Sequence, residues 1–307
     1  MAEHVAIKRE MGPVQWALFL SLGFIWGLSF FFNALALKFL DPIAIVALRM
    51  VIATVALWGV AFAMGLKVPS EPERWRDLAV MGFLNNVVPF TLIVWAQKGI
   101  PSGLASILNA TTPFFVLIVA NYTTRDEPLT ANRLAGVVVG LVGVAIMVGL
   151  DALHAAGTHI FHQIGSLAAA LCYGFAAPWG RRLAVNPPIV TAAGQTLCSA
   201  IVLSVAAAVT GEFAPLGSLT WADVGVLLAL GLACTAVAYV LYFSILKSAG
   251  AGNVSLVTFI VPVSAILMGV LVLHETLLPR HLFGMLAIGA GLALIDGRVL
   301  RPFYSRS

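Results

Sequence analysis

The sequence has 307 residues, of which 61% are apolar and only 10% are charged, and its mean hydropathy is +1.01. Soluble domains carry about 25% charged residues because water must solvate their surface. The composition therefore excludes a soluble globular protein and indicates a chain whose solvent is the lipid bilayer. The formal net charge is +4, but the basic residues are spread singly over loops. They form no run that could follow a phosphate backbone, which excludes nucleic-acid binding.

Long apolar stretches alternate with short polar gaps along the whole chain. About 20 apolar residues are needed to cross about 30 Å of hydrocarbon as a helix. The alternation predicts an all-α polytopic membrane protein with ten transmembrane helices. They are predicted at residues 14–37, 42–64, 78–97, 102–121, 131–150, 163–181, 188–210, 221–246, 252–273 and 280–297.

The basic residues predict the orientation of these helices. If the N-terminus is cytoplasmic, thirteen of the seventeen Lys and Arg residues fall in cytoplasmic segments. Only Lys38, Lys98 and Arg280 fall in outer loops, and Arg49 lies inside a span. Short loops with excess Lys and Arg remain in the cytoplasm. The sequence therefore predicts that both termini are cytoplasmic.

The two halves of the chain repeat each other. Four residues recur 149 positions later in the chain: Lys98 as Lys247, Gly103 as Gly252, Ser106 as Ser255 and Pro113 as Pro262. Five more recur 148 positions later: Glu127 as Glu275, Leu129 as Leu277, Leu134 as Leu282, Gly136 as Gly284 and Gly143 as Gly291. Trp26-Gly27 aligns with Tyr173-Gly174 at 147, and Arg49 with Gln195 at 146.

This repeat predicts the domain organisation. The first unit is 14–150 and the second is 163–297, with cytoplasmic tails at 1–13 and 298–307. Each unit has five predicted helices, an odd number, so the second unit inserts upside down relative to the first. Inverted repeats are common in secondary transporters, whose site lies between the halves near the bilayer midplane.

With these residues the chain resembles the drug/metabolite transporter superfamily, in particular its EamA-type members with two tandem five-helix domains. The marks are Trp26-Gly27, Arg49-Met50, the stretch 105–113 and Glu127, with Pro262 and Glu275 repeating two of them. The resemblance implies a carrier in a bacterial-type inner membrane. It also implies a substrate class, because known members export amino acids and related metabolites, with aromatic amino-acid exporters the most similar type.

Ionisable groups are scarce within the predicted spans. No Asp, Glu or His lies in the middle of one, and Cys172, Cys198 and Cys234 lie in apolar segments without a CxxC pair. A membrane-embedded enzyme needs a base, a nucleophile pair or a metal cluster. We therefore predict no catalytic residues, no metal site and no cofactor. The lack of a mid-span carboxylate also argues against a carboxylate proton relay and favours facilitated transport.

Two sets of polar residues are candidates for a substrate cavity. Arg49 lies about 10 Å inside the second span. It either holds a substrate carboxylate or serves a structural role, bonded to backbone carbonyls or reaching the interface. Asn85 and Asn86 are adjacent, so at least one must face the interior, either toward substrate or toward another helix.

Aromatic residues, one further asparagine and two prolines complete the candidates. Helices 1 and 6 contribute Trp26, Asn33 and Tyr173, and helix 8 contributes Tyr239 and Tyr242. The aromatic side chains either line a cavity or pack between helices. Pro113 and Pro262 occupy equivalent repeat positions and each removes a helical hydrogen bond. They are either hinges for alternating access or fixed kinks.

The sequence thus predicts a secondary transporter that exports amino acids or related small metabolites by alternating access. The alternatives are carriers of drugs, nucleotide sugars or sugar phosphates within the same superfamily, and, outside it, a channel or membrane-embedded enzyme. The predicted partners are a small-molecule substrate and the bilayer. The small-residue stripes of helices 5 and 10 allow a homodimer.

The predicted orientation has a direct test. A reporter that is active only in the cytoplasm should be active when fused after Ser307, because the basic bias places the C-terminus inside. The same reporter inserted after Lys98, in a predicted outer loop, should be silent. The opposite pattern of activity would reverse the topology.

Overall fold

A computed structural model describes residues 13–123, 131–148, 158–183, 185–249, 257 and 260–296. Within these ranges the chain is helical and contains no strand. The two tails and Glu127, for which the sequence makes predictions, lie outside the described part of the chain.

The described residues form ten helical rods, named α1 to α10 in chain order. Five of them, in the first and middle parts of the chain, are uninterrupted α-helices: α1 Pro13–Ala36, α2 Pro42–Ala63, α5 Ala131–Val148, α6 Thr158–Gly180 and α7 Pro188–Thr210. Two contain π-helical turns: α3 (Pro72–Gly82, Phe83–Val87, Val88–Ala96) and α8 (Trp221–Leu228, Ala229–Val237, Ala238–Ala249). The others are α4 (Ser102–Asn109 and Thr112–Thr123), α9 Val261–Leu273 and α10 Pro279–Asp296.

Seven of these rods are long and apolar enough to cross a membrane: α1 to α4 and α6 to α8. Within α5 and α9 there are shorter apolar helical stretches, Leu134–Ile146 and Val261–Leu273. Many large apolar side chains are exposed along the rods, as expected where lipid covers the protein. The all-helical membrane fold is confirmed, and the count of ten spans stays a prediction.

Helix boundaries differ most from the predicted ones at α3 and α9. α3 begins at Pro72, six residues before the prediction, because proline at the first position starts a helix without losing a hydrogen bond. Its first turns carry charged residues, which a search for apolar windows does not find. α9 begins at Val261, and the preceding residues 258–259 lie outside the described part.

The two halves of the chain are interleaved rather than side by side. α1 packs on α9, and its repeat counterpart α6 packs on α4. In the same way α2 packs on the π segment of α8, and α7 packs on α3. The pairs α2–α7 and α5–α10 join counterparts directly. Each half therefore buries its helices mainly against the other half.

α2 connects two opposite faces of the protein, which we name the Glu212 face and the Asn186 face. The Glu212 face contains the connections 37–41, 97–101 and 211–220, and the Asn186 face contains the connections 64–71 and 185–187. α2 has 22 residues and so spans about 33 Å between the faces. α7 runs between them in the opposite direction.

Two carboxylates fasten the halves together at the Glu212 face. The Glu275 carboxylate accepts hydrogen bonds from the Ser102 N–H and hydroxyl, both at 2.8 Å, at the start of α4. The Glu212 carboxylate accepts from the N–H groups of Ile43 and Ala44, at 2.9 and 3.0 Å, at the start of α2. In both cases an acid from the second half satisfies free N–H groups and the helix dipole of the first.

Close packing between α5 and α10 depends on glycine. A Cβ atom added at Gly291 would lie 2.5 Å from the Gly136 carbonyl oxygen, and one at Gly143 would lie 2.8 Å from that of Gly284. Such short contacts let two backbones approach, which is how helices associate in lipid. A Cβ atom at Gly289, on the same helix, would meet nothing within 4 Å.

The contrast between these glycines gives a stability prediction. Gly291→Ala should lower the melting temperature of the purified protein because its methyl group collides with the backbone of α5. Gly289→Ala is the matched control and should keep or raise it, since alanine favours a helix by about 1 kcal/mol over glycine. Equal melting temperatures for the two variants would contradict the observed packing.

Candidate functional site

Two equivalent helix crossings lie at the centre of the molecule. Where α3 crosses α7, a Cβ atom added at Gly82 would lie 2.6 Å from the Gln195 carbonyl oxygen. Where α8 crosses α2, one added at Gly231 would lie 3.2 Å from the Arg49 carbonyl oxygen. Gly231 is the counterpart of Gly82 at the offset of 149, and Gln195 is the counterpart of Arg49 at 146. Equivalent residues of the two repeats therefore lie close together at both crossings.

Both crossings occur where a helix widens. Phe83–Val87 of α3 and Ala229–Val237 of α8 are π-helical. A π turn shifts the hydrogen-bond register and often marks a functional position in a helix. In α8 the Thr235 hydroxyl donates to the Leu230 carbonyl at 2.8 Å and so satisfies a displaced backbone acceptor. The widened turns present polar side chains to the other half of the molecule.

The first crossing carries a polar network that we name the Asn86 cluster: Asn85, Asn86, Gln195, Ser199 and Tyr239. The Tyr239 hydroxyl donates to Asn86 Oδ1 at 2.5 Å, and Asn86 Nδ2 donates to Ser199 Oγ at 3.1 Å. Asn85 Nδ2 lies 3.1 Å from the Tyr239 hydroxyl and 3.3 Å from Gln195 Oε1. The structure therefore brings three predicted residues together and adds two from α7.

Gln195 is the member of this cluster with an unused donor. Its side chain is 0% exposed, and its Nε2 has no hydrogen-bond partner among the described residues. A buried amide donor without a partner costs about 1–3 kcal/mol. Such a cost is tolerated at functional sites, where a ligand supplies the acceptor.

The second crossing carries the Arg49 cluster: Arg49, Phe90, Cys234 and Thr235. Arg49 is only 3% exposed; its Nε donates to Thr235 Oγ1 at 2.7 Å and its Nη2 donates to the Cys234 carbonyl at 3.2 Å. Its guanidinium carbon lies 4.2 Å from the centre of the Phe90 ring. The three ion pairs between described residues do not include Arg49. Among the described residues, the cation is thus buried with hydrogen bonds but without a carboxylate partner.

Aromatic side chains adjoin the Asn86 cluster along α8. Tyr242 lies one turn after Tyr239, and its ring centre is 5.7 Å from that of Trp26 in a tilted arrangement. Trp26, Tyr173 and Tyr242 all pack against the largest apolar cluster of the protein and are partly exposed. Three predicted aromatic residues therefore come from α1, α6 and α8 to one region.

The remaining predicted residues lie elsewhere. Asn33 Nδ2 donates to Gln97 Oε1 at 3.2 Å, near the Glu212 face and about 16 Å along α3 from Asn86. α4 is interrupted just before Pro113, and the Asn109 carbonyl that the proline frees accepts from the Thr112 hydroxyl at 2.7 Å. Pro262 lies in the first turn of α9.

Sequence reasoning missed several members of the two clusters. Gln195 had a usable signal, because it aligns with Arg49 in the repeat. Ser199 and Thr235 had none, since single hydroxyls are common in apolar helices. Among the described residues no group of three or more His, Cys, Asp or Glu side chains could hold a metal ion.

Comparison with known proteins agrees with this architecture. A solved crystal structure that is 20% identical superposes with a TM-score of 0.65, covering 91% of this chain and 96% of that one, which shows the same fold. The uncharacterized transporter YoaV of Bacillus subtilis is 25% identical over 89% of this chain and 93% of its own length. Two further relatives of similar identity cover 88–89% of the chain: protein PecM of Dickeya dadantii, at 24%, and the uncharacterized inner membrane transporter YedA of Escherichia coli K12, at 25%.

The family comparison covers both halves. The model of the EamA-like transporter family matches residues 15–149 and again residues 161–296. These two matches include both helix crossings and almost all of the described residues. The chain belongs to the EamA-like transporter family and is a multi-pass membrane transporter of small molecules.

Proposed function

We propose that this transporter exports amino acids or related small metabolites that carry a carboxylate, by facilitated diffusion with alternating access. The single observation that carries the proposal is the Arg49 cluster. A cation that is 3% exposed and has no carboxylate partner among the described residues favours binding of an anionic group. The substrate carboxylate is the anion that we assign to it.

The rest of the substrate would contact the Asn86 cluster and the aromatic side chains beside it. The free Nε2 of Gln195 offers a donor to a polar substrate atom, and Tyr239 and Asn85 offer further hydrogen-bonding groups. Trp26 and Tyr242 offer apolar faces that suit a hydrophobic or aromatic side chain. This combination supports an amino-acid-like substrate over a sugar phosphate, which favours several buried cations.

Alternating access has a physical basis in the crossings. Because α2 contacts α8 and α7 contacts α3 in equivalent ways, exchanging the two arrangements would open one face and close the other. At the close glycine contacts no side chain separates the two helices, and at the π turns the helical hydrogen-bond register shifts. Both features would let the helices tilt relative to each other. The carboxylate bonds of Glu212 and Glu275 would have to rearrange when the Glu212 face opens.

We further propose that the Asn186 face is cytoplasmic and that the protein lies in a bacterial-type inner membrane. The excess of Lys and Arg in the segments of this face supports the orientation. The relative YedA of Escherichia coli, which is named an inner membrane transporter, supports the location.

Substrate-site variants test the proposed cavity. In counterflow with proteoliposomes and a panel of labelled amino acids, Asn85→Ala and Tyr242→Ala should reduce transport about 5–150-fold at subsaturating substrate. The expected reason is the loss of a buried contact worth about 1–3 kcal/mol. Leu271→Ala is the control, because this side chain is 64% exposed on α9. Normal transport by both site variants at equal expression would place the cavity elsewhere.

The proposed energetics make a second prediction. Transport of a zwitterionic amino acid down its own gradient should continue when a protonophore collapses the proton gradient. The reason is that no Asp, Glu or His lies in the middle of a predicted span, so no side chain there can relay a proton at neutral pH. Loss of uptake on adding protonophore, with the substrate gradient kept, would show coupled transport.

A further inference from the structure

The repeat counterparts α2 and α7 begin with the same arrangement of backbone donors. At the start of α2, the N–H groups of Ile43 and Ala44 donate to the Glu212 carboxylate. At the offset of 146, these residues correspond to Ile189 and Val190 at the start of α7. The two helix starts lie on opposite faces of the protein.

The turn that supplies Glu212 also has a counterpart. Gly211 ends α7 with φ 74°, and Gly65 follows α2 with φ 69°, both left-handed conformations that favour glycine. The next N–H closes the same turn in each case: Glu212 N–H donates to the Ala207 carbonyl at 3.0 Å and Leu66 N–H to that of Ala61 at 2.9 Å. Leu66 therefore stands at the position that Glu212 occupies on the other face.

A cavity lies at the start of α7. It has a volume of about 260 Å³, and its lining includes the charged and polar side chains of Lys67, Glu71, Arg74 and Asn186. About half of the lining is apolar and includes Val190 from the first turn of α7. The Glu71 carboxylate is 3.2 Å from the Arg74 guanidinium. Lys67 then leaves the lining with a net positive charge. In the described part of the chain, the N–H groups of Ile189 and Val190 make no hydrogen bond to a carboxylate.

Asn186 supplies an independent sign of a ligand. Its side chain is 6% exposed, and its Oδ1 accepts a hydrogen bond from Arg74 at 2.6 Å. Since that bond fixes which side-chain atom is the oxygen, Nδ2 is the remaining donor. Nδ2 is buried without a partner among the described residues. Asn186 also contributes to the lining of the positively charged cavity, and a buried donor of this kind needs an acceptor.

We infer that this cavity is a binding site for the carboxylate of a small molecule. The carboxylate oxygens would accept from Ile189 and Val190 N–H and from Asn186 Nδ2, whose orientation the Arg74 hydrogen bond fixes, and Lys67 would balance the charge. The Glu212 carboxylate shows the same chemistry at the equivalent helix start. The site lies nine residues before Gln195, about 14 Å along α7, so it is separate from the central clusters.

This inference does not depend on the substrate of the proposed function. If the Asn186 face is cytoplasmic, the site is where a carboxylate from the cytoplasm first meets the protein. A free carboxylate and inorganic phosphate share the chemistry of an oxyanion, and comparing the responses to acetate and to phosphate distinguishes them.

Acetate binding tests the site in the full-length purified protein. Sodium acetate, titrated against sodium chloride at constant ionic strength, should raise the melting temperature saturably in the wild type. Asn186→Leu, which installs the residue found at the equivalent position 40, should weaken acetate binding about tenfold. Leu66→Glu should raise the melting temperature without acetate and abolish its acetate dependence, because it supplies an internal carboxylate.

The controls separate this site from other causes. Lys38→Gln removes an exposed cation from the Glu212 face and should leave the acetate response unchanged. If Leu66→Glu does not fold, Arg74→Gln replaces it and should weaken acetate binding.

An acetate response no larger than that of chloride, or one that is unchanged in Asn186→Leu, would overturn the inference. A stronger response to inorganic phosphate than to acetate would overturn its carboxylate preference. Because the titration needs no transport, its outcome is independent of the counterflow results.

Discussion

The structure depends on one constraint, which is that polar groups buried in a membrane protein must find partners across a helix interface. The α2–α8 and α3–α7 crossings bring the helices within van der Waals contact at Gly231 and Gly82. That approach allows Arg49 to reach the Cys234 carbonyl and Asn86 to reach Ser199. Larger residues at the two glycines would separate the helices and leave these groups unsatisfied, at a cost that lipid does not reduce.

The repeat is symmetric in backbone and asymmetric in chemistry. Arg49 and Gln195 occupy equivalent positions, yet one carries a fixed charge and the other a neutral amide. Phe90 and Tyr239 are likewise equivalent at the offset of 149, but only the tyrosine can hydrogen bond. Glu212 and Leu66 differ in the same way at the helix starts. A two-fold scaffold of this kind suits the substrate that we propose, whose carboxylate and apolar side chain need unlike surroundings.

Much of the fold could be predicted because its signals are local in sequence. Apolar windows predict most of the helical rods, the repeat offsets predict the equivalence of Arg49 and Gln195, and the motifs within the repeat resemble the family. The cost of exposing amides to lipid predicts that Asn85 or Asn86 faces the interior, and the aromatic residues of helix 8 make Tyr239 a candidate for the same cavity. The π turns could not be predicted, because a widened turn leaves no distinct residue pattern. The roles of Glu212 and Asn186 depend on contacts between residues more than 100 positions apart, which a single sequence does not reveal.

We propose that a substrate carboxylate completes the hydrogen bonds and charge of Arg49. Counterflow with a transported amino acid and its carboxamide as competitors tests this directly, in the wild type and in Arg49→Gln. The wild type should prefer the acid by about 10–150-fold, the worth of a hydrogen bond to a charged group. Arg49→Gln, which makes the position identical to its counterpart Gln195, should remove this preference while the carboxamide competes as before. An equal preference for the acid in both proteins would show that Arg49 does not bind the carboxylate.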